Sequence, residues 1–199
     1  MPVHSLMFGW EYPPFHTGGL GVACQGLVKG LLENGVKVTL VLPMDVTKHP
    51  EAEYLRGPTT EVAPVIRFVP SVLQPYEGLE AFEERMVREG KTAGPAVQDL
   101  YGPDLGAAVK RYAEMSVDMT HDVEADVIHC HDWMTYEAGI KAKEHHQIPL
   151  VVHIHATEFD RTDFKPNQWI YDQERRGFHA ADKIIAVSNY TKSLLVNHY

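Results

Sequence analysis

Six short apolar runs, at residues 3–8, 36–42, 65–69, 126–130, 150–154 and 183–187, are separated mostly by segments with apolar residues at helical spacing. The runs are nearly continuous in Val, Ile and Leu instead of alternating with polar residues, the pattern of strands covered on both faces. After the first run, Leu20, Ala23, Leu27, Val28 and Leu31 repeat at helical intervals, and Asn34-Gly35 supplies a C-terminal stop. Leu105, Val109, Tyr112 and Met119 repeat that pattern before the fourth run. Thr135 is placed to cap a helix over 136–146, Ile148-Pro149 to end it, and Ser188 to cap a last helix through Val196. Strands alternating with helices build βαβ units, so the fold class is α/β with a doubly wound parallel sheet.

With 199 residues the chain is expected to form one domain, and 44% hydrophobic against 23% charged residues is ordinary for a packed core. The net charge of −9 disfavours nucleic acid and anionic membranes as partners. Two cysteines, Cys24 and Cys130, exclude a disulfide scaffold and fit a reducing compartment. No basic leader precedes a long apolar stretch, because Glu11 and Pro13-Pro14 interrupt it, and no run approaches a membrane span. A cytoplasmic domain is expected.

Residues 45–104 break the rhythm with seven prolines (50, 58, 64, 70, 75, 95 and 103) and a charged helix candidate over 77–88. This reads as a long insertion around one short strand, either a solvated excursion or a lid over the site. The final helical pattern has no strand after it, as expected where a chain stops at a domain boundary.

In open parallel sheets ligands bind beyond the carboxyl ends of the strands. Beyond the first run lies Gly9-Trp10-Glu11-Tyr12-Pro13-Pro14-Phe15-His16-Thr17-Gly18-Gly19-Leu20-Gly21, whose glycines and following helix suit an anion. A dinucleotide fingerprint is disfavoured. Cys24 stands where its last glycine or alanine belongs, and Val41-Leu42-Pro43 carries no ribose-binding acid. Beyond the fourth and fifth runs come His129-Cys130-His131-Asp132-Trp133 and His153-Ile154-His155-Ala156-Thr157-Glu158. Asp132 follows His131 directly, which does not fit a His-x-His-x-Asp-His metal hydrolase, so no metal is expected. His129 and His153 read as packing histidines, and Asp132 and His155, at the strand ends, as site residues. No Gly-x-Ser-x-Gly elbow exists. A carboxylate, an imidazole, a glycine loop and the aromatics Trp10, Tyr12, Phe15 and Trp133 together suit a sugar attached to a phosphate leaving group.

These segments resemble the N-terminal domain of retaining GT-B glycosyltransferases of the glycogen/starch synthase group. Glu11-x-x-Pro14-x-His16-Thr17-Gly18-Gly19-Leu20-Gly21 is similar to that group's Glu-x-x-Pro-x-Lys-Thr-Gly-Gly-Leu loop, His131-Asp132-Trp133 to its His-Asp-Trp, and 152–158 to its strand ending in a conserved His. Tyr101-Gly102 before a helix is a weaker match. The resemblance implies a Rossmann-like sheet forming the acceptor-side half of a two-domain enzyme, residues 1–199, with the nucleotide-binding C-terminal half outside this chain. It implies hexosyl transfer, glucosyl first, from a sugar nucleotide such as ADP-glucose or UDP-glucose to a glycan acceptor, without a cofactor or metal. Sucrose, trehalose, lipid or surface-polysaccharide acceptors, or a non-catalytic ligand-binding module, are the alternatives. By carry-over, His155 and Asp132 are catalytic, and Glu11, His16, Thr17, Gly18, Gly19, Trp133 and Tyr101 bind substrate. His16 replaces the group's Lys, and a histidine is only partly charged at pH 7.

Overall fold

The computed structural model describes residues 2–13, 19–43, 63–69 and 103–199. Its strands are β1 (His4–Phe8), β2 (Lys37–Leu42), β3 (Val65–Phe68), β4 (Val127–His131), β5 (Leu150–Ile154) and β6 (Lys183–Ala186). They agree with the six apolar runs to within one residue. Every neighbouring pair is parallel, in the order β3-β2-β1-β4-β5-β6. The path runs outward from β1 to β3, returns to the centre at β4, and runs outward again. The reversal between β1 and β4 opens the crevice where such sheets bind ligands.

Around the sheet lie α1 (Gly19–Glu33), α2 (Pro103–Asp118), α3 (Trp133–His146), α4 (Glu158–Arg161), α5 (Gln168–Ala180) and α6 (Asn189–His198). Period-two alternation divides the strand side chains between two layers. Leu6, Phe8, Ile128, Cys130, Leu150, Val152 and Ile154 join Tyr112, Tyr136, Ile170 and Phe178 in the larger core cluster. Met7, Val38, Leu40 and Leu42 join Cys24, Val28 and Leu32 of α1 in the other. Residues 129, 131 and 153 therefore fall on the sheet face opposite the larger cluster, and all three are histidine. The Asn34-Gly35 stop works as expected: Gly35 has φ 77° and donates its N–H to Leu32 at 3.0 Å.

Several expectations need correction. The helix expected over 136–146 starts earlier, at Trp133, and Thr135 does not cap it; its hydroxyl donates to the carbonyls of His131 (3.0 Å) and Asp132 (2.9 Å). The sixth run is not covered on both faces: Ile184 and Ile185 are each 39% exposed, because β6 is the sheet edge. The helices α4 and α5 escaped sequence reading. On α5 the buried stripe is Ile170, Glu174, Gly177 and Phe178, so a carboxylate and a glycine stand where apolar residues would signal a helix. Of the expected insertion at 45–104, residues 63–69 with β3 and the start of α2 at 103–104 are described; the rest, with the helix candidate at 77–88, lies outside the described residues.

Where α3 crosses the sheet, a Cβ on Gly139 would collide with Cys130 Sγ and approach Leu150 Cδ1 at 2.9 Å. Gly139→Ala is therefore expected to destabilise by about 1–3 kcal/mol. That is the overpacking cost, set against a helix-propensity gain of about 1 kcal/mol. Urea unfolding measures it, and an unchanged or higher midpoint would show that the interface yields.

Candidate functional site

The carboxyl ends of β4 and β5 bring together the two residues expected to be catalytic. Asp132, the first residue beyond β4, has φ 60° and ψ 165°, a conformation that side chains other than glycine rarely adopt. Its N–H donates to the carbonyl of His153 at 3.0 Å, and its Oδ1 accepts the N–H of His155 at 2.7 Å. The backbone N–H of Ala156 also faces the carboxylate and helps to hold its pKa down. The strained backbone thus turns the Asp132 carboxylate into the bend that follows β5. Burial raises its pKa to about 6, against the opposing pull of Arg161 and those two N–H groups. The carboxylate faces main chain, and at 5% exposure it has little open surface for a hydroxyl.

His155 sits half-buried at the site, with Nε2 3.0 Å from Nδ1 of His131. Behind it His129, His131 and His153 form a row of rings with centroids 4.5–5.6 Å apart. Desolvation dominates their titration: the pKa of His129 and of His153 falls to about 4, that of His131 falls well below the ordinary histidine value, and that of His155 also falls. All four rings are neutral near pH 7. His129 is buried and His153 half-buried, and His129 Nε2, His131 Nε2 and His153 Nδ1 have no hydrogen-bond partner among the described residues.

Beneath the bend lies a buried ionic network that sequence reading did not anticipate. Arg161 donates from Nε to Glu158 (3.2 Å), from Nη1 to the carbonyl of Ala156 (2.6 Å) and from Nη2 to Glu174 (2.6 Å). Glu158 and Glu174 are fully buried. Glu174 also accepts the N–H of Glu158 at 3.0 Å and the hydroxyl of Tyr199. Thr157 and Asp160 form a capping box over α4. The peptide that presents His155 is therefore pinned from both sides, by Asp132 and by Arg161.

Burial raises the Glu174 pKa from an ordinary 4.5 to about 7, although Arg161 and the Tyr199 and Glu158 bonds oppose it. A raised carboxyl pKa means that the folded state holds the proton more tightly. The stabilisation is full below about pH 4.5 and is lost as pH rises through about 7. Between pH 5 and pH 8 the stability difference should shift in favour of Glu174→Gln by roughly 2–3 kcal/mol, since one pKa unit is about 1.4 kcal/mol. Chemical denaturation of both proteins at the two pH values checks this, and a pH-independent difference would refute it.

Of the other expected site residues, Gly19 opens α1, and a Cβ there would meet nothing within 4 Å. Glu11 is buried; burial of the Cys24 thiol raises its pKa, and the nearby charges of Asp132 and then Glu11 add to that rise. Trp133, expected to cover a sugar face, is instead 1% exposed and packs edge-on against Trp169 at 5.3 Å. Trp10 and Tyr12 are buried too, Trp10 edge-on against Tyr112. These rings follow strand ends directly and turn back into the layers between sheet and helices, where burying their large apolar area is favourable. Phe15, His16, Thr17, Gly18 and Tyr101 lie outside the described residues. No helix among those residues is long and apolar enough to cross a membrane.

The chain resembles known proteins over most of its length. An uncharacterized glycosyltransferase of Methanocaldococcus jannaschii is 29% identical over 180 residues, 88% of this chain and 35% of that protein. A glycogen synthase of Mycobacterium tuberculosis is 27% identical over 181 residues, covering 89% and 38%. The chain thus spans little more than a third of these relatives. Among solved structures, sucrose-phosphate synthase from Thermosynechococcus elongatus superimposes with a TM-score of 0.65 at 14% identity, over 98% of this chain and 45% of that one. The catalytic domain of starch synthase IV from Arabidopsis thaliana, bound to ADP and acarbose, gives 0.52 at 17% identity, over 84% and 38%. Both share the fold. The starch synthase catalytic domain model matches residues 4–199, and the chain belongs to that family of glycosyltransferases.

Proposed function

We propose that this chain is the acceptor-side half of a retaining GT-B transferase that moves a hexosyl unit, glucosyl first, from ADP-glucose or UDP-glucose to a glycan acceptor. The observation that carries this reading is His155, held by its own N–H to Asp132 at the end of β5, beside the crevice where the strand order reverses. A neutral imidazole fixed there can hydrogen-bond the transferred sugar without adding a charge. Asp132 acts through His155 as a positioning residue. Gly19, with Gly18, His16 and Thr17 before it, lets the donor diphosphate approach the start of α1, where free N–H groups favour anions. Glu11 and Tyr101 complete the substrate contacts. The groups that neutralise the departing diphosphate belong to the nucleotide-binding half, and no protein-bound metal takes part in the transfer step. The ADP held by the Arabidopsis starch synthase domain supports a nucleotide leaving group.

On this reading the chain alone supplies one wall of the donor site. Losing about 4 kcal/mol of contacts weakens binding roughly a thousandfold. Residues 1–199 should therefore bind ADP-glucose or UDP-glucose no better than about millimolar and transfer nothing. Isothermal titration and a radiolabel transfer assay measure both. Micromolar donor binding, or transfer above a His155→Ala control, would mean that the site is complete within this chain.

A further inference from the structure

We propose that His129, His131 and His153 form a binding site for a zinc-class divalent cation. Its occupancy would set the tautomer of His155. The ligand set is assembled by strand register: His131 lies beside His153 across the β4–β5 pair, and period two puts His129 on the same face. One ring nitrogen from each of the three lies within 4.8 Å of the other two. Each residue also has a buried ring nitrogen with no hydrogen-bond partner among the described residues. Buried polar atoms are seldom left unpaired, and three in one cluster call for a common partner. A cation accepts three imidazole lone pairs at once.

Three nitrogens without a carboxylate favour zinc, copper or nickel over magnesium or calcium. Zinc–nitrogen bonds of about 2.0–2.1 Å place tetrahedral ligand nitrogens about 3.3 Å apart, so small side-chain rotations must draw the three rings together. His153 is the half-buried member of the three, and His129 and His131 are buried. A second observation fits ligation at His131 in particular. Metal-bound histidines almost always donate their other ring N–H to a neighbour. The other ring nitrogen of His131, Nδ1, is 3.0 Å from Nε2 of His155. With Nε2 of His131 on the cation, Nδ1 carries the proton and donates it, which leaves His155 with its own proton on Nδ1. The site does not depend on the proposed transfer; only its consequence for His155 as a sugar contact rests on that reading.

A competing set, Cys24 with His131 and His155, has ligand atoms equally close. It would put a thiolate beside Asp132 and Glu11, whereas the imidazole set needs no buried thiolate and keeps the His131–His155 bond. The spacing argument against a His-x-His-x-Asp-His centre is untouched, because this set spans two strands.

The test is zinc titration of the chain with His145 and His146 replaced by glutamine to remove a second, adjacent histidine pair at the end of α3. One equivalent should bind at micromolar affinity or tighter. His129→Gln and His153→Gln should each weaken it at least about a hundredfold, and Cys24→Ser should leave it unchanged. Cobalt should give the visible absorption of a four-coordinate site. Histidine-ring nitrogen NMR on unsubstituted protein needs no folded variant. There, saturating zinc should move the bound nitrogens of three rings and fix His155 in its Nδ1–H form. No stoichiometric binding, binding unaffected by the His129 and His153 changes, binding lost with Cys24→Ser, or unmoved ring signals would each overturn the proposal. These readouts involve no sugar, so their failure is separable from failure of the transfer reading.

Discussion

Replacing His155 by alanine should reduce sugar transfer at least about a hundredfold, the scale of losing one positioned electrostatic or hydrogen-bonding group. The assay needs this chain together with the nucleotide-binding half that it is proposed to face. Stability should change little. The bond that fixes the bend after β5 comes from the His155 main chain, which alanine keeps, and the side chain is only half-buried. The loss should fall mainly on kcat, because the donor diphosphate is held elsewhere. Near-normal turnover in a folded His155→Ala protein would remove this residue from the mechanism and leave the carboxyl end of β5 as a structural bend.

The second large effect concerns stability. Arg161→Met should cost about 3–5 kcal/mol, because it leaves the carboxylates of Glu158 and Glu174 buried without their shared cation. For a domain stable by roughly 5–15 kcal/mol, that is a large share. The measurement belongs at pH 8 or above, because loss of Arg161 lets the Glu174 pKa rise further and protonation of that carboxylate relieves part of the cost at lower pH. Adding Glu174→Gln to Arg161→Met should recover part of the loss, since one of the two unpaired charges is removed. A loss below about 1 kcal/mol would show that water or relaxation compensates the pair. Arg161 also bonds the Ala156 carbonyl, so the same variant should loosen the peptide that follows His155.

The strands were legible because each is a short apolar run with its own punctuation, a local property that needs no partner. Strand boundaries, the Asn34-Gly35 stop and the Ser188 cap, which accepts the N–H of Thr191 at 3.0 Å, depend on neighbours within a few residues. The helix α5 was not legible, because its buried face carries Glu174, whose burial is tolerated only through Arg161, thirteen residues earlier. The start of α3 was misplaced for a related reason. Asp132 occupies the N-cap position with a positive φ and spends its carboxylate on His155 rather than on the helix.

By itself the sequence determined the kind of fold and the placement of Asp132 and His155 at strand ends. Periodicity and strand-end position are properties of the chain's own order. The tertiary structure alone decided the strand order that makes a crevice between β1 and β4, the burial of Trp10 and Trp133, and the union of residues 129, 131, 153 and 155 into one row of imidazoles. The physical reason is register. A one-residue slip of β5 against β4 would send His153 to the opposite face and break the row, and no spacing along the chain records which register the packed sheet adopts.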